Sequence, residues 1–178
     1  MKVEDLVFLD ESGVRIGMAR THARSARGTR AVDYQPKARG KNMTIIGALG
    51  VEGMLTAEVM EGGMKKADFQ RFFDQLLPLL KPGQAVIMDN LRSHHAEKIK
   101  ALAATHKVVL IYLPPYSPEF NPIEEAWSKL KAWLRKLRAR TVEALFGAVA
   151  SGLEWITPTD AIGWARHSGY PIGVAQHG

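Results

Sequence analysis

Leu6-Val7-Phe8-Leu9-Asp10 is an apolar run that ends on an acid, and Ala85-Val86-Ile87-Met88-Asp89 repeats the arrangement later in the chain. Runs of four apolar residues suit buried strands better than helices. Ligand sites in open α/β sheets gather beyond the carboxyl ends of strands. Two such strands, if neighbouring and parallel, aim both carboxylates into one crevice. An Asp in this position can also do no more than begin a turn. Asn90 and His94 follow closely behind the second acid and add polar chemistry there.

Working outward, Ser12 to Gly40 is polar and rich in Arg and Gly, and reads as an excursion without regular structure. Met43–Leu49 and Met54–Met60 are strand-like runs around Gly50-Val51-Glu52-Gly53, a hairpin signal. Phe69, Phe72, Phe73, Leu76, Leu77 and Leu80 recur at helical spacing, with Pro78 and Pro82 marking the helix end. A helix from Ser93 to about Ala104 and a strand over Val108–Leu113 follow. Beyond the Pro-rich turn 114–122, Asn121 can cap a helix that has Pro122 at its first position. Ile123, Trp127, Leu130, Leu134 and Leu137 form its apolar stripe. A last helix starts after Thr141, with Leu145, Ala148, Val149, Gly152 and Leu153 on one face. Three strands in a row, then alternating strands and helices, predict an α/β mixed sheet with helices on both faces. The 178 residues suit one domain over 1–170, with 171–178 as a flexible tail.

The formal net charge is +6 and the isoelectric point is about 9.7, a balance that favours a polyanionic partner. There are no cysteines, which removes disulfides, thiolate metal sites and Cys nucleophiles. No signal-peptide pattern opens the chain, and no apolar stretch approaches the roughly 18 residues needed to cross a membrane. A cytoplasmic location without membrane contact is expected. The histidines lack the spacing of a zinc hydrolase, and neither a phosphate-binding GxxxxGK[ST] loop nor a GxSxG elbow is present. A phosphatase using a strand-end Asp needs a second Asp two residues on, and that position is Ser12.

Carboxylates without thiols suit Mg²⁺ or Mn²⁺, and a two-ion site for phosphodiester chemistry needs about three acids. Glu124 is the third acid in view, but its position alone reads otherwise. Three residues past Asn121, it can close a capping box or answer the positive end of the helix dipole, and Glu125 can share that task.

The blocks Val7-Phe8-Leu9-Asp10-Glu11-Ser12-Gly13, Ile87-Met88-Asp89-Asn90 with His94, and Leu113-Pro114-Pro115-Tyr116-Ser117-Pro118-Glu119-Phe120-Asn121-Pro122-Ile123-Glu124-Glu125-Ala126-Trp127 together resemble the insertion-sequence 630 and mariner-like superfamily of transposases. The last block is the most specific, and 34 residues separate Asp89 from Glu124, as in the Asp-Asp-Glu members. The resemblance covers residues 5 to 170. It implies a ribonuclease H-like fold, a five-stranded mixed sheet with its first three strands antiparallel and its first and fourth adjacent and parallel. It implies Asp10, Asp89 and Glu124 as catalytic metal ligands for two Mg²⁺ ions, with Mn²⁺ as substitute. Asp10 would bridge the ions, while Asp89 and Glu124 each complete one. The implied function is DNA strand cleavage followed by strand transfer into target DNA, TA dinucleotides being favoured. A metal-dependent nuclease of the same fold without strand transfer, or an inactive DNA-binding remnant, are the alternatives.

The implied partner is double-stranded DNA, both element ends and target, at the bacterial nucleoid. A homodimer and a separate DNA-binding region or chain are further expectations, because the family's usual N-terminal helix-turn-helix is not found before Asp10. Candidate DNA contacts are Arg15, Arg20, Arg24, Arg27, Arg30 and Lys41 in the excursion, His94, and Lys131 and Arg135 at helical spacing beyond Glu124. Each of these can equally belong to a solvated surface.

Overall fold

The computed structural model describes residues 1–18, 24–30, 32, 42–90, 97–115 and 117–172. Its centre is a five-stranded sheet in the order β3-β2-β1-β4-β5, built from β1 (Leu6–Arg15), β2 (Asn42–Gly50), β3 (Gly53–Glu61), β4 (Ala85–Met88) and β5 (Val109–Tyr112). β1 pairs antiparallel with β2, and β2 with β3. β1 pairs parallel with β4, and β4 with β5. The expected mixed sheet is therefore present, with its first and fourth strands adjacent and parallel. The β2–β3 hairpin closes at Gly53, whose φ of +109° only glycine adopts without strain.

Among the described residues, five α-helices cover the sheet: α1 (Lys66–Leu76), α2 (Glu97–Thr105), α3 (Ile123–Leu137), α4 (Val142–Glu154) and α5 (Pro158–His167). Alternation along the strands divides the core in two. Val7 and Leu9 of β1 and Val86 and Met88 of β4 pack with Phe69, Phe72, Phe73 and Leu76 of α1 and Ile99 and Ala103 of α2. Leu6 and Phe8, with Ala85 and Ile87, face the opposite side and pack with Ile123, Trp127 and Leu130 of α3 and with α4 and α5. Helices thus lie on both faces, as the strand pattern predicts.

Three differences from the sequence reading have local causes. β1 does not stop at Asp10 but continues to Arg15, because β2 supplies a ladder partner for every residue from Phe8 onward. The excursion expected from Ser12 therefore starts later. α5 was not anticipated. Its signal is Thr157-Pro158-Thr159-Asp160, a capping box in which the Thr157 hydroxyl accepts from the Asp160 N–H while the Asp160 carboxylate accepts from the Thr157 N–H. The chain around the start of the expected tail is docked, with Tyr170 and Ile172 packed against the core. Ser168 is buried, the Tyr170 ring meets Phe8 edge-on at 4.9 Å, and its hydroxyl donates to the Phe120 carbonyl at 2.7 Å. Residues 173–178 of the expected tail lie outside the described residues. So do Ser93 and the start of the helix expected there. Among the described residues no helix is long and apolar enough to cross a membrane.

Candidate active site

β1 and β4 bring their acids level. Phe8 pairs with Ile87, and two residues further on stand Asp10, still within β1, and Asp89, just beyond the end of β4. Both share the parity of Phe8 and Ile87, so both belong to the sheet face covered by α3. Asp10 is thus an interior residue of β1, not its last, but it sits where the parallel partner β4 has just ended. The crevice rule for parallel strands still applies there. Glu124 arrives from the first turn of α3. Asp10, Asp89 and Glu124 line one cavity of about 400 Å³, together with Asn90, Asn121 and residues of the Pro-rich turn such as Pro115 and Pro118.

Asp10 is the most perturbed group. Only 8% of it is exposed, and its carboxyl is pushed up from 3.8 to about 7. Burial contributes most, followed by the negative charges of Glu124 and Glu11. Hydrogen bonds from the Glu11 N–H and the Trp127 indole oppose that rise without cancelling it. The indole Nε1–H donates to Asp10 Oδ2 at 3.0 Å. Asp89 is half-buried and Glu124 is exposed.

Glu124 does not do what its position alone suggested. Pro122 has helical angles (φ −57°, ψ −21°), and neither a side-chain cap nor a capping box closes the start of α3. The Asn121 carbonyl accepts from the Glu124 N–H at 3.1 Å, and the Asn121 N–H is satisfied by Pro118. The Asn121 side chain is buried, and its Oδ1 has no hydrogen-bond partner among the described residues. An orphaned acceptor in a wall of this cavity calls for a donor or a cation.

The donor set consists of three carboxylates and one amide oxygen, all hard ligands that fit Mg²⁺ or Mn²⁺. Among the described residues no three acidic or histidine side chains are gathered tightly enough to hold a single ion.

The candidate DNA contacts are more scattered. Arg15 ends β1 and lines a separate open hollow with Met18, Asn42 and Gly62. Arg24, Arg27 and Arg30 are exposed. Lys131 and Arg135 are half-buried on α3 and in no salt bridge with a described residue. Arg20, Lys41 and His94 lie outside the described residues.

Two site residues escaped the sequence reading. From the sequence, Trp127 reads as packing and Asn121 as a helix cap. A signal existed for Trp127, because a buried indole N–H needs an acceptor, and its helix begins with an acid expected at the site.

The sequence matches the family model described as "DDE superfamily endonuclease" over residues 5–146. A search of curated proteins returned no match. Among solved structures, the Mos1 mariner paired end complex with Mn is similar at a TM-score of 0.74 and 17% identity, covering 93% of this chain and 52% of that one. The pre-cleavage Mos1 transpososome follows at 0.72 and 15%, covering 96% and 58%. The Mos1 catalytic domain alone is similar at 0.58 and 14%, covering 96% and 85%. The chain therefore spans a little over half the length of the transposase in the pre-cleavage assembly. At these identities the likenesses establish a shared fold, the ribonuclease H-like arrangement. The family match extends over most of the chain, and on that ground the chain belongs to the DDE superfamily endonucleases.

Proposed function

We propose that this chain is the catalytic domain of a DNA transposase, cutting DNA at the element end by hydrolysis and joining the freed 3′-OH to target DNA by transesterification. The observation that carries the proposal is the single cavity lined by Asp10, Asp89 and Glu124 in a chain of the DDE endonuclease family. The similar solved structures support it: they include Mos1 paired-end and strand-transfer complexes, the paired-end ones with Mn or Mg.

In this reading Asp10, Asp89 and Glu124 would together hold the Mg²⁺ ions, with Mn²⁺ able to substitute. Bound there, the cations supply Lewis acidity that offsets charge on the attacking and departing oxygens of an in-line displacement. The chain's own residues define where that happens. β1 and β4 fix Asp10 and Asp89 at one level, α3 carries Glu124 to the same cavity, and the Asn121 Oδ1 offers a further acceptor for a bound water or ion. The Pro-rich turn stiffens the wall between β5 and α3, because each proline fixes its own φ.

The basic excursion, Lys131 and Arg135 would contact phosphates, with His94 as a further candidate. Recognition of element ends would fall to a separate DNA-binding region or chain, and two copies would pair the ends. The proposed setting is the bacterial cytoplasm, at the nucleoid. The test incubates the protein and Asp89→Ala with element-end DNA and Mg²⁺. Cleavage should fall roughly a hundredfold or more in the variant, the equivalent of several kcal/mol of lost stabilisation. Equal cleavage by both proteins would sink the metal-triad reading. A pre-cut 3′-OH end that is never joined to a plasmid, by a protein that still cuts, would leave a nuclease rather than a transposase.

A further inference from the structure

Core packing does not account for two features of Trp127. The first is its hydrogen-bond partner. An indole N–H commonly finds a carbonyl, as that of the half-buried Trp133 does at Ala148 O, 3.1 Å away. Trp127 instead donates to a carboxylate that lines the cavity, Asp10 Oδ2 at 3.0 Å. The second is where its ring lies. A Cβ at position 47 would stand 2.7 Å from Trp127 Cη2 and 2.7 Å from Met54 Cε, so the ring occupies space that only glycine leaves. Gly47 is the residue paired with Asp10 across the β1–β2 ladder. The acid and the gap beside it are therefore neighbours, and the indole bridges them.

We propose that Trp127, seated over Gly47, is a positioning residue that holds the Asp10 carboxylate in the orientation cation binding requires. The proposal rests on the reading of Asp10 as a metal ligand. A carboxylate offers about four lone-pair sites. The indole takes one on Oδ2 and the Glu11 N–H takes another, which fixes the plane of the group and leaves the remaining sites for ligands. Metal-binding side chains are commonly oriented by such outer hydrogen bonds. The bond also spans two elements. Trp127 stands one helical turn beyond Glu124 on α3, while Asp10 is in β1. One hydrogen bond therefore sets the height of the Glu124 helix end against the strand that carries the first acid. A phenylalanine at 127 would fill much of the same space and hold neither.

The test uses the full chain with Mg²⁺ and Mn²⁺ themselves as probes. The four tryptophans give four indole N–H resonances in a ¹H–¹⁵N spectrum, and the one missing in Trp127→Phe belongs to Trp127. In the parent that resonance should move on Mg²⁺ titration, and in Asp10→Asn it should not. A purely structural tryptophan would stay still in both. By calorimetry, Trp127→Phe should bind Mn²⁺ roughly ten- to a hundredfold more weakly with an unchanged far-UV dichroism spectrum. Gly47→Ala, which keeps the N–H but displaces the ring, should weaken binding in the same direction. It also serves as the deciding variant should Trp127→Phe fail to fold. Parent-like Mn²⁺ affinity in these variants, or a Trp127 resonance that ignores Mg²⁺, overturns the proposal while leaving the metal reading intact. Parent-like Mn²⁺ affinity in Asp10→Ala instead overturns the metal reading, and the proposal with it.

Discussion

Asp10 concentrates the site's electrostatics in one side chain. In the folded chain its carboxyl ionises near pH 7, against 3.8 for an ordinary aspartate. Between those values the unfolded chain has released a proton that the native chain retains. Stability must then fall as pH rises through that window. The contribution is intact below about pH 4. Above about pH 7 the full cost is in place, roughly 4 kcal/mol at most. Urea unfolding in EDTA should therefore show the parent losing stability from pH 4.5 to 7.5 relative to Asp10→Asn. Parallel curves for the two proteins would remove Asp10 as the cause. Cations act in the opposite sense. They bind the carboxylate and displace its proton, so Mg²⁺ affinity should rise with pH up to about 7 and then level off.

At the scale of elements, α3 matters most, because one of its ends enters the site and its flank carries the fold. Ile123, Trp127, Leu130 and Leu134 are buried on its inner side. Its contact with α4 depends on Gly152, where a Cβ would stand 2.5 Å from Leu130 Cδ1 and 2.7 Å from Trp133 Cδ1. Helix propensity alone would make Gly152→Ala stabilising by about 1 kcal/mol. Overpacking a filled contact typically costs about 1–3 kcal/mol, and the Trp133 ring has little freedom, with Trp155 against it at 4.6 Å. The expected net result is destabilisation, read as a lower midpoint in thermal or urea unfolding. A higher midpoint would mean that the two helices can separate without loss. α5 supports the same assembly, since Asp160 holds Lys129 of α3 at 2.6 Å.

Across the whole molecule, the two helical layers divide the work. The layer of α1 and α2 packs an apolar face and contributes no residue to the acid-lined cavity, while the layer of α3, α4 and α5 shares its sheet face with Asp10 and Asp89. The net charge of +6 favours a polyanion near the molecule, and under the proposed function α3 suggests the direction in which DNA would lie. Lys131 and Arg135 fall seven and eleven residues after Glu124, within roughly 20° of it around the helix axis and about 10 and 16 Å along it. A duplex lying along α3 would meet both cations on its way to Glu124. Lys131→Ala combined with Arg135→Ala should weaken DNA binding uniformly across sequences. It should also flatten the slope of log affinity against log salt by about 0.9 per lost phosphate contact. An unchanged slope would remove these residues from the interface.

The sequence was sufficient wherever a local pattern had one physical solution. Leu6–Leu9 and Ala85–Met88 had to be buried strand segments, Phe69 to Leu76 had to be a helix face, and the acid placed directly after Ala85–Met88 had to sit at that strand's end. The blocks around Asp10, Asp89 and Glu124 also carried the family. Pairing partners were not legible, because a hydrogen-bond ladder joins residues distant in the chain. β1 runs past Asp10 only because β2 lies beside it. The resemblance implied that Asp10 and Asp89 are neighbours, but their common level follows from a register that the tertiary structure alone sets. Asn121 and Trp127 make the same point. Read locally, one was a helix cap and the other an apolar-stripe residue. Folding left the Asn121 Oδ1 without a partner among the described residues of the cavity wall and put the Trp127 N–H on Asp10, because a side chain's partners are chosen by what packs against it, not by its neighbours in sequence.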